Sequence, residues 1–133
     1  WKIAAGLGVS FSELLGEGAA PSVKISRASE ARYIYSDDKC LRSRPLLSNV
    51  PGHHVEIYEL QMEPGAVEVS QAHPSGSFEQ VIVTSGRLSL GVGREKYVLD
   101  AHDAVLFRAD SEHRYECLGK KPFVGLSVIL YGG

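Results

Sequence analysis

The sequence predicts an all-β domain, a small sandwich or barrel of short strands, preceded by two short helices. Three observations carry that prediction. Short β-type runs follow one another from His53 to Tyr131, separated by glycine, proline and aspartate. Within several of these runs polar and apolar residues alternate with a period of two. The front segment, residues 1–18, departs from this pattern and carries its apolar residues at helical spacing.

In that front segment Ile3, Ala4 and Leu7 fall on one helical face, and Gly6 and Gly8 supply the left-handed conformation that ends a first helix. Ser10 opens a second helix with Glu13 three residues on, a capping box in which each side chain satisfies the other residue's backbone N–H. Val9 and Leu14 occupy the hydrophobic-staple positions. Phe11, Leu14 and Leu15 leave an apolar face that so short a segment cannot bury alone. The chain opens at Trp1 rather than at methionine and is read as part of a longer polypeptide. Residues 19–45, beginning with the linker-like Ala19-Ala20-Pro21, form a lead-in without clear period, and 46–133 form the β-domain.

The expected strands are HHVEIYELQM (53–62), AVEVSQAH (66–73), EQVIVTS (79–85), RLSLGV (87–92), EKYVLD (95–100), DAVLFRA (103–109), HRYECL (113–118) and FVGLSVILY (123–131). Alternation puts Val67, Val69, Gln71 and His73 on one face, with Ala66, Glu68 and Ser70 on the other. Glu79 shares its face with Val81 and Val83, and His113 shares one with Tyr115 and Cys117. The polar groups thus sit on faces that can turn inward, where burial costs stability unless each is hydrogen-bonded, paired or metal-bound. The VEIYELQM run changes phase between Ile57 and Tyr58, as a bulge or a strand covered on both faces would.

Composition narrows the function. The chain has 133 residues, enough for one domain, with 44% hydrophobic and 23% charged residues, the balance of a folded globular chain. A net charge of −2 leaves no basic footprint for nucleic acid on this chain itself. No apolar run approaches the ~20 residues of a membrane span, and no signal-peptide pattern opens the sequence, so a cytoplasmic location is expected. Cys40 and Cys117 fit no zinc or redox spacing and are expected as free thiols. His53 and His54 are adjacent and face opposite ways; His102 lies in a turn and is expected to be solvated; Asp37-Asp38 reads as turn chemistry. Arg42 and Arg44 are expected at the surface.

Two resemblances sharpen the picture. The front segment, with WKIA at 1–4, LGV at 7–9 and SFSELL at 10–15, resembles the last two helices of an Xre-type (lambda-repressor-like) helix-turn-helix domain. The recognition helix of such a domain would lie upstream, so no base-reading residue is nominated. The β-domain resembles a cupin, a jelly-roll barrel with two histidine-bearing motifs. Gly65, five residues, Gln71-Ala72-His73, then Glu79 and, after six residues, Gly86 follow the first motif, with Gln71 where a histidine is usual. The second motif is degenerate: His113 matches, while His102, Arg108, Asp110 and Cys117 replace the usual glycine, proline, glycine and asparagine.

The resemblance implies His73, Glu79 and His113 as ligands of one divalent metal (Zn, Fe, Mn or Ni), two imidazoles and a carboxylate leaving positions open. Gln71 in the fourth place lowers the expected affinity. A metal-free pocket in which His73 and Glu79 hydrogen-bond is the alternative. Gln71, His73, Glu79, His113, Tyr58, Phe107 and Tyr115 are the expected pocket residues, the three aromatics serving otherwise as core. Xre-type helices followed by one cupin make up a family of bacterial transcription regulators. That family implies a non-enzymatic, homodimeric protein in which a small-molecule effector in the barrel alters operator binding by the upstream domain. A small metal-dependent cupin enzyme, a dioxygenase or isomerase, is the competing reading.

Overall fold

The computed structural model describes residues 22–48 and 50–132, and the two expected front helices lie outside them. Within the described residues the only helical element is a 3-10 turn, Ala28–Glu30; all else regular is β. Ten strands form: β1 (Ile34–Tyr35), β2 (Leu41–Pro45), β3 (Val55–Met62), β4 (Val67–Ser70), β5 (Phe78–Ser85), β6 (Arg87–Val92), β7 (Glu95–Leu99), β8 (Ala104–Arg108), β9 (His113–Leu118) and β10 (Phe123–Leu130). They make a six-stranded sheet, β1-β2-β3-β10-β5-β8, and a four-stranded sheet, β4-β9-β6-β7, antiparallel throughout.

All eight expected strands are present, within a few residues at either end except for AVEVSQAH, which stops at Ser70. β1 and β2 are additional, and they carry the six-stranded sheet back to Ile34, inside the segment expected as a lead-in. Their sequence hides them because Arg44 is itself buried: its guanidinium donates to Ser26 Oγ (3.0 Å) and to the Ser26 carbonyl (3.3 Å). Arg42 is half-buried, bonded to Gln61 Oε1 (2.6 Å) and stacked over the Tyr33 ring at 4.5 Å. Neither arginine has the solvated surface role expected of it. β3 pairs with β10 in unbroken register, with Tyr58, Leu60 and Met62 inward, so the expected bulge there is absent. The irregularity lies instead between Val124 and Gly125, where β10 pairs with β5. Asp38 accepts from Ser36 Oγ and Cys40 N–H as turn chemistry requires, His53, His54 and His102 are exposed, and both cysteines are free.

The core lies between the sheets and is filled from both: Leu60, Met62, Val81, Val83, Phe123 and Ile129 from one, Leu88, Leu90, Tyr115 and Cys117 from the other. The chain passes from sheet to sheet through a single residue, Gly86, between β5 and β6. Its φ of +81° suits glycine, and a Cβ there would collide with the Pro122 carbonyl. Gly86→Ala therefore combines backbone strain with a clash and is expected to cost about 2 kcal/mol or more. Gly93→Ala, with φ +60° and open space around it, meets strain alone. Urea denaturation of the two variants should show the larger loss at Gly86.

Candidate metal and ligand site

Side-chain alternation and strand register bring three polar residues together at one end of the core. Glu79 is the second residue of β5, flanked by Ile129 of β10 and Phe107 of β8. His113 opens β9, between Ser70 of β4 and Val92 of β6. His73 sits in the loop after β4, fixed by a backbone clasp through Ala109: its N–H donates to the Ala109 carbonyl, and Ala109 N–H donates to Ser77 O, both at 2.9 Å. Asp110 closes the same loop by accepting from Gly76 N–H at 3.2 Å. One ligand atom from each of His73, Glu79 and His113 lies within 4.8 Å of the others, and all three side chains are buried.

The hydrogen bonds define what each group does. Glu79 Oε2 accepts from the Tyr115 hydroxyl, and Oε1 lies 3.2 Å from His73 Nε2 and 3.5 Å from His113 Nε2. His113 Nδ1 lies 2.9 Å from the Ser111 carbonyl, which can only accept, so Nδ1 carries the proton. In a neutral ring His113 Nε2 then bears a lone pair. That atom is buried and makes no hydrogen bond, because its approach to Glu79 is too long and poorly aligned for one. A lone pair facing a carboxylate is repulsive unless a cation, either a proton or a metal ion, lies between them. The donor set of two imidazoles and one carboxylate fits a divalent metal with open positions.

Electrostatics follow this geometry. Burial by itself would raise the Glu79 carboxyl, but the neighbouring His113 and His73 imidazoles and the Tyr115 hydroxyl outweigh it and hold it at about 2. Burial pulls the His113 imidazole down, and the Glu79 carboxylate and Ser111 carbonyl more than offset this, leaving it raised. Burial and then the Glu79 charge push the Tyr115 phenol well up, so it remains a donor.

Of the expected pocket residues, Tyr58, His73, Glu79, Phe107, His113 and Tyr115 all lie on the interior side. Phe107 packs edge-on against His113 with ring centroids 5.1 Å apart. Gln71 does not join them. β4 ends at Ser70, which holds the buried position opposite His113, and Gln71 and Ala72 are exposed. The expected face is one residue out of phase: Ala66 and Ser70 are buried while Val69 is exposed. His73 turns inward through the loop clasp rather than by strand alternation.

Sequence reasoning missed three interior polar residues. Glu56 lies on the Tyr58 face of β3 and accepts from the Tyr58 hydroxyl at 2.6 Å. Tyr131 stands edge-on to His73, centroids 6.4 Å apart, and Ser127 is fully buried on β10. The period of β3 could have located Glu56 had no phase change been read into it. A depression of about 340 Å³ lined by Val50, His53, His54, Val55 and Leu130 contains none of the three clustered ligands.

The comparisons agree with this architecture. The family model described as "Cupin domain" matches residues 58–129. The HTH-type transcriptional regulator SutR of Escherichia coli (strain K12) is 34% identical over 133 residues, covering 98% of this chain and 69% of that protein. The crystal structure of the Cupin_2 domain of an XRE family transcriptional regulator from Enterobacter cloacae has a TM-score of 0.68 at 26% identity, over 71% of this chain and 99% of that one. An HTH_3 family transcriptional regulator from Vibrio cholerae has a TM-score of 0.74 at 23% identity, over 100% of this chain and 70% of that one.

A pH prediction follows from the depressed Glu79. Its contribution to stability is complete above the ordinary value of 4.5 and is lost as pH falls from there towards about 2. His113 is raised, so its contribution is present below the ordinary 6.5 and lost as pH rises through the folded-state value. Urea midpoints of metal-free protein should therefore fall steeply between pH 4.5 and 2, and Glu79→Gln should flatten that fall.

Proposed function

The chain belongs to the cupin domain family, among the cupins of Xre-type helix-turn-helix regulators, and on that premise we propose that it is the small-molecule-sensing domain of a cytoplasmic transcriptional regulator. The single observation that carries the reading is the buried His73–Glu79–His113 cluster with its unsatisfied His113 Nε2. His73, Glu79 and His113 hold one divalent metal, and Tyr115 and the Ser111 carbonyl orient Glu79 and His113 for it. Such an ion supplies a fixed positive charge with coordination positions open to an effector's oxygen, nitrogen or sulfur. Phe107 and Tyr131 pack against the imidazoles and keep bulk water away from them. Effector binding favours one arrangement of the barrel and thereby alters operator binding by the helix-turn-helix domain, and by linkage operator binding alters effector affinity by the same factor.

The homodimer reading draws support from the outer face of the six-stranded sheet. Two adjacent rows there, Val55–Leu130–Phe78–Arg108 and Ile57–Val128–Gln80–Leu106, are mostly apolar, and Leu106 is 61% exposed. A metal-dependent enzyme would use the same two imidazoles and carboxylate, and the fate of the bound molecule separates the two readings. A sensor releases it unchanged, whereas an enzyme converts it.

Elemental analysis of purified protein should give close to one metal per chain, and His73→Ala or His113→Ala should abolish it. Tyr115→Phe, which loosens Glu79, should weaken metal binding by roughly 10–100-fold. Gln71→His, at an exposed position, should leave it unchanged. Full-length protein that binds no specific DNA, with or without metabolite extract, would sink the regulator reading.

A further inference from the structure

The interior holds a second polar cluster, apart from the metal ligands. Cross-strand register places Glu56, Ile129, Glu79 and Phe107 in one inward row across four strands, and Tyr58, Ser127, Val81 and Val105 in the next. Glu56 Oε2 accepts from Tyr58. Tyr131 follows at the end of β10, its backbone held by the His54 carbonyl and its ring edge-on to His73, so it stands between Glu56 and the imidazoles. The Tyr131 hydroxyl and Ser127 Oγ are buried without a hydrogen-bond partner, and Ser127 is wholly inaccessible. Two unsatisfied hydroxyls beside a carboxylate are costly in an empty protein and useful when a ligand supplies the missing partners.

The charge pattern says which ligand. Among the described residues, no inward-facing strand position carries lysine or arginine. A purely anionic molecule would meet Glu56 with no lysine or arginine beside it to offset the repulsion. An ammonium group instead finds a carboxylate held beside two tyrosines, Tyr58 and Tyr131, a setting that favours a cation through its charge. Glu56 and Glu79 stand two strands apart, roughly 10 Å between backbones, a separation that matches a molecule of about amino-acid size.

We propose that Glu56, Tyr58, Ser127 and Tyr131 form an amine-recognition subsite, and that the effector is a small amino-acid-like zwitterion with its ammonium against Glu56 and its anionic end towards His73 and His113. This rests on the sensor reading and adds the chemical class of the effector. Selectivity comes from Glu56, which attracts the amine and repels the same acid without it.

The test is calorimetric titration of the metal-loaded protein with the twenty amino acids, each beside the matching amine-free acid and the matching amine without carboxylate. At least one amino acid should bind, and its amine-free counterpart should bind at least tenfold more weakly. Glu56→Gln should lose at least tenfold affinity and that preference, with metal content unchanged; Ser127→Ala should lose less. An amine-free acid that binds as tightly, or a Glu56→Gln variant with unchanged affinity, overturns the proposal without any need for a second variant to fold. If only an amine-free compound from a metabolite extract binds, and His113→Ala removes that binding, the amine subsite falls and the sensor reading stands. If neither panel nor extract yields a binder, both fall.

Discussion

The structure is organised around a carboxylate that has no contact with water. Glu79 is fully buried, and an unpaired charge there would cost several kcal/mol. It is tolerated because Tyr115 holds one oxygen and two imidazoles face the other. Those partners come from β9 and from the loop after β4, which both belong to the opposite sheet or lead out of it. The two sheets must therefore close in one relative placement for the charge to be satisfied. A one-residue slip of β5 would turn Glu79 outward and bring its neighbours, Phe78 or Gln80, to the interior in its place. The polar cluster thus reinforces the register that the alternating aliphatic core already sets, because its charge can be satisfied only by particular partners.

The strands were legible where one face is apolar and the next residue is not. β5, β6, β9 and β10 read directly from alternation and from glycine and proline between them. β1 and β2 were not legible because burial there is achieved by polar residues: Ser43 and Arg44 are both buried, the arginine satisfied by Ser26 across eighteen residues of chain. A period-two reading counts arginine as exposed and cannot anticipate a distant carbonyl and hydroxyl. The AVEVSQAH strand failed for a different reason. Valines at 67 and 69 drew the reading to the wrong face, whereas the pairing of Ser70 with His113 fixes the opposite phase, and the strand ends before Gln71 can continue it.

The site divides in the same way. His73, Glu79 and His113 were found through the resemblance to the two cupin motifs, with alternation allowing Glu79 and His113 to turn inward. Glu56 was passed over because a phase change was read into β3, although the strand runs through its full length in unbroken register with β10. Ser127 carries no signal in a sequence at all: serine is common, and only a three-dimensional inventory of hydrogen bonds exposes it as a buried hydroxyl without a partner. Tyr131 has the parity of the buried Ser127 and Ile129, so its direction was legible, but its place beside His73 was not.

The position of β3 bears on how occupancy of the barrel can be felt elsewhere. Its inward face carries Glu56 and Tyr58, and its outward face carries Glu59, directly opposite Arg44 on β2. Arg44 in turn holds Ser26, in the segment that precedes the sheet. Interior and lead-in are therefore separated by the thickness of one strand pair, linked by backbone ladder on one side and a buried guanidinium on the other. Any change in the tilt or spacing of β3 would fall on the tightly packed core on one side and on the β2–Ser26 contact on the other. Close-packed interiors resist such adjustment, whereas the residues around Ser26 are exposed, so the lead-in is the softer of the two.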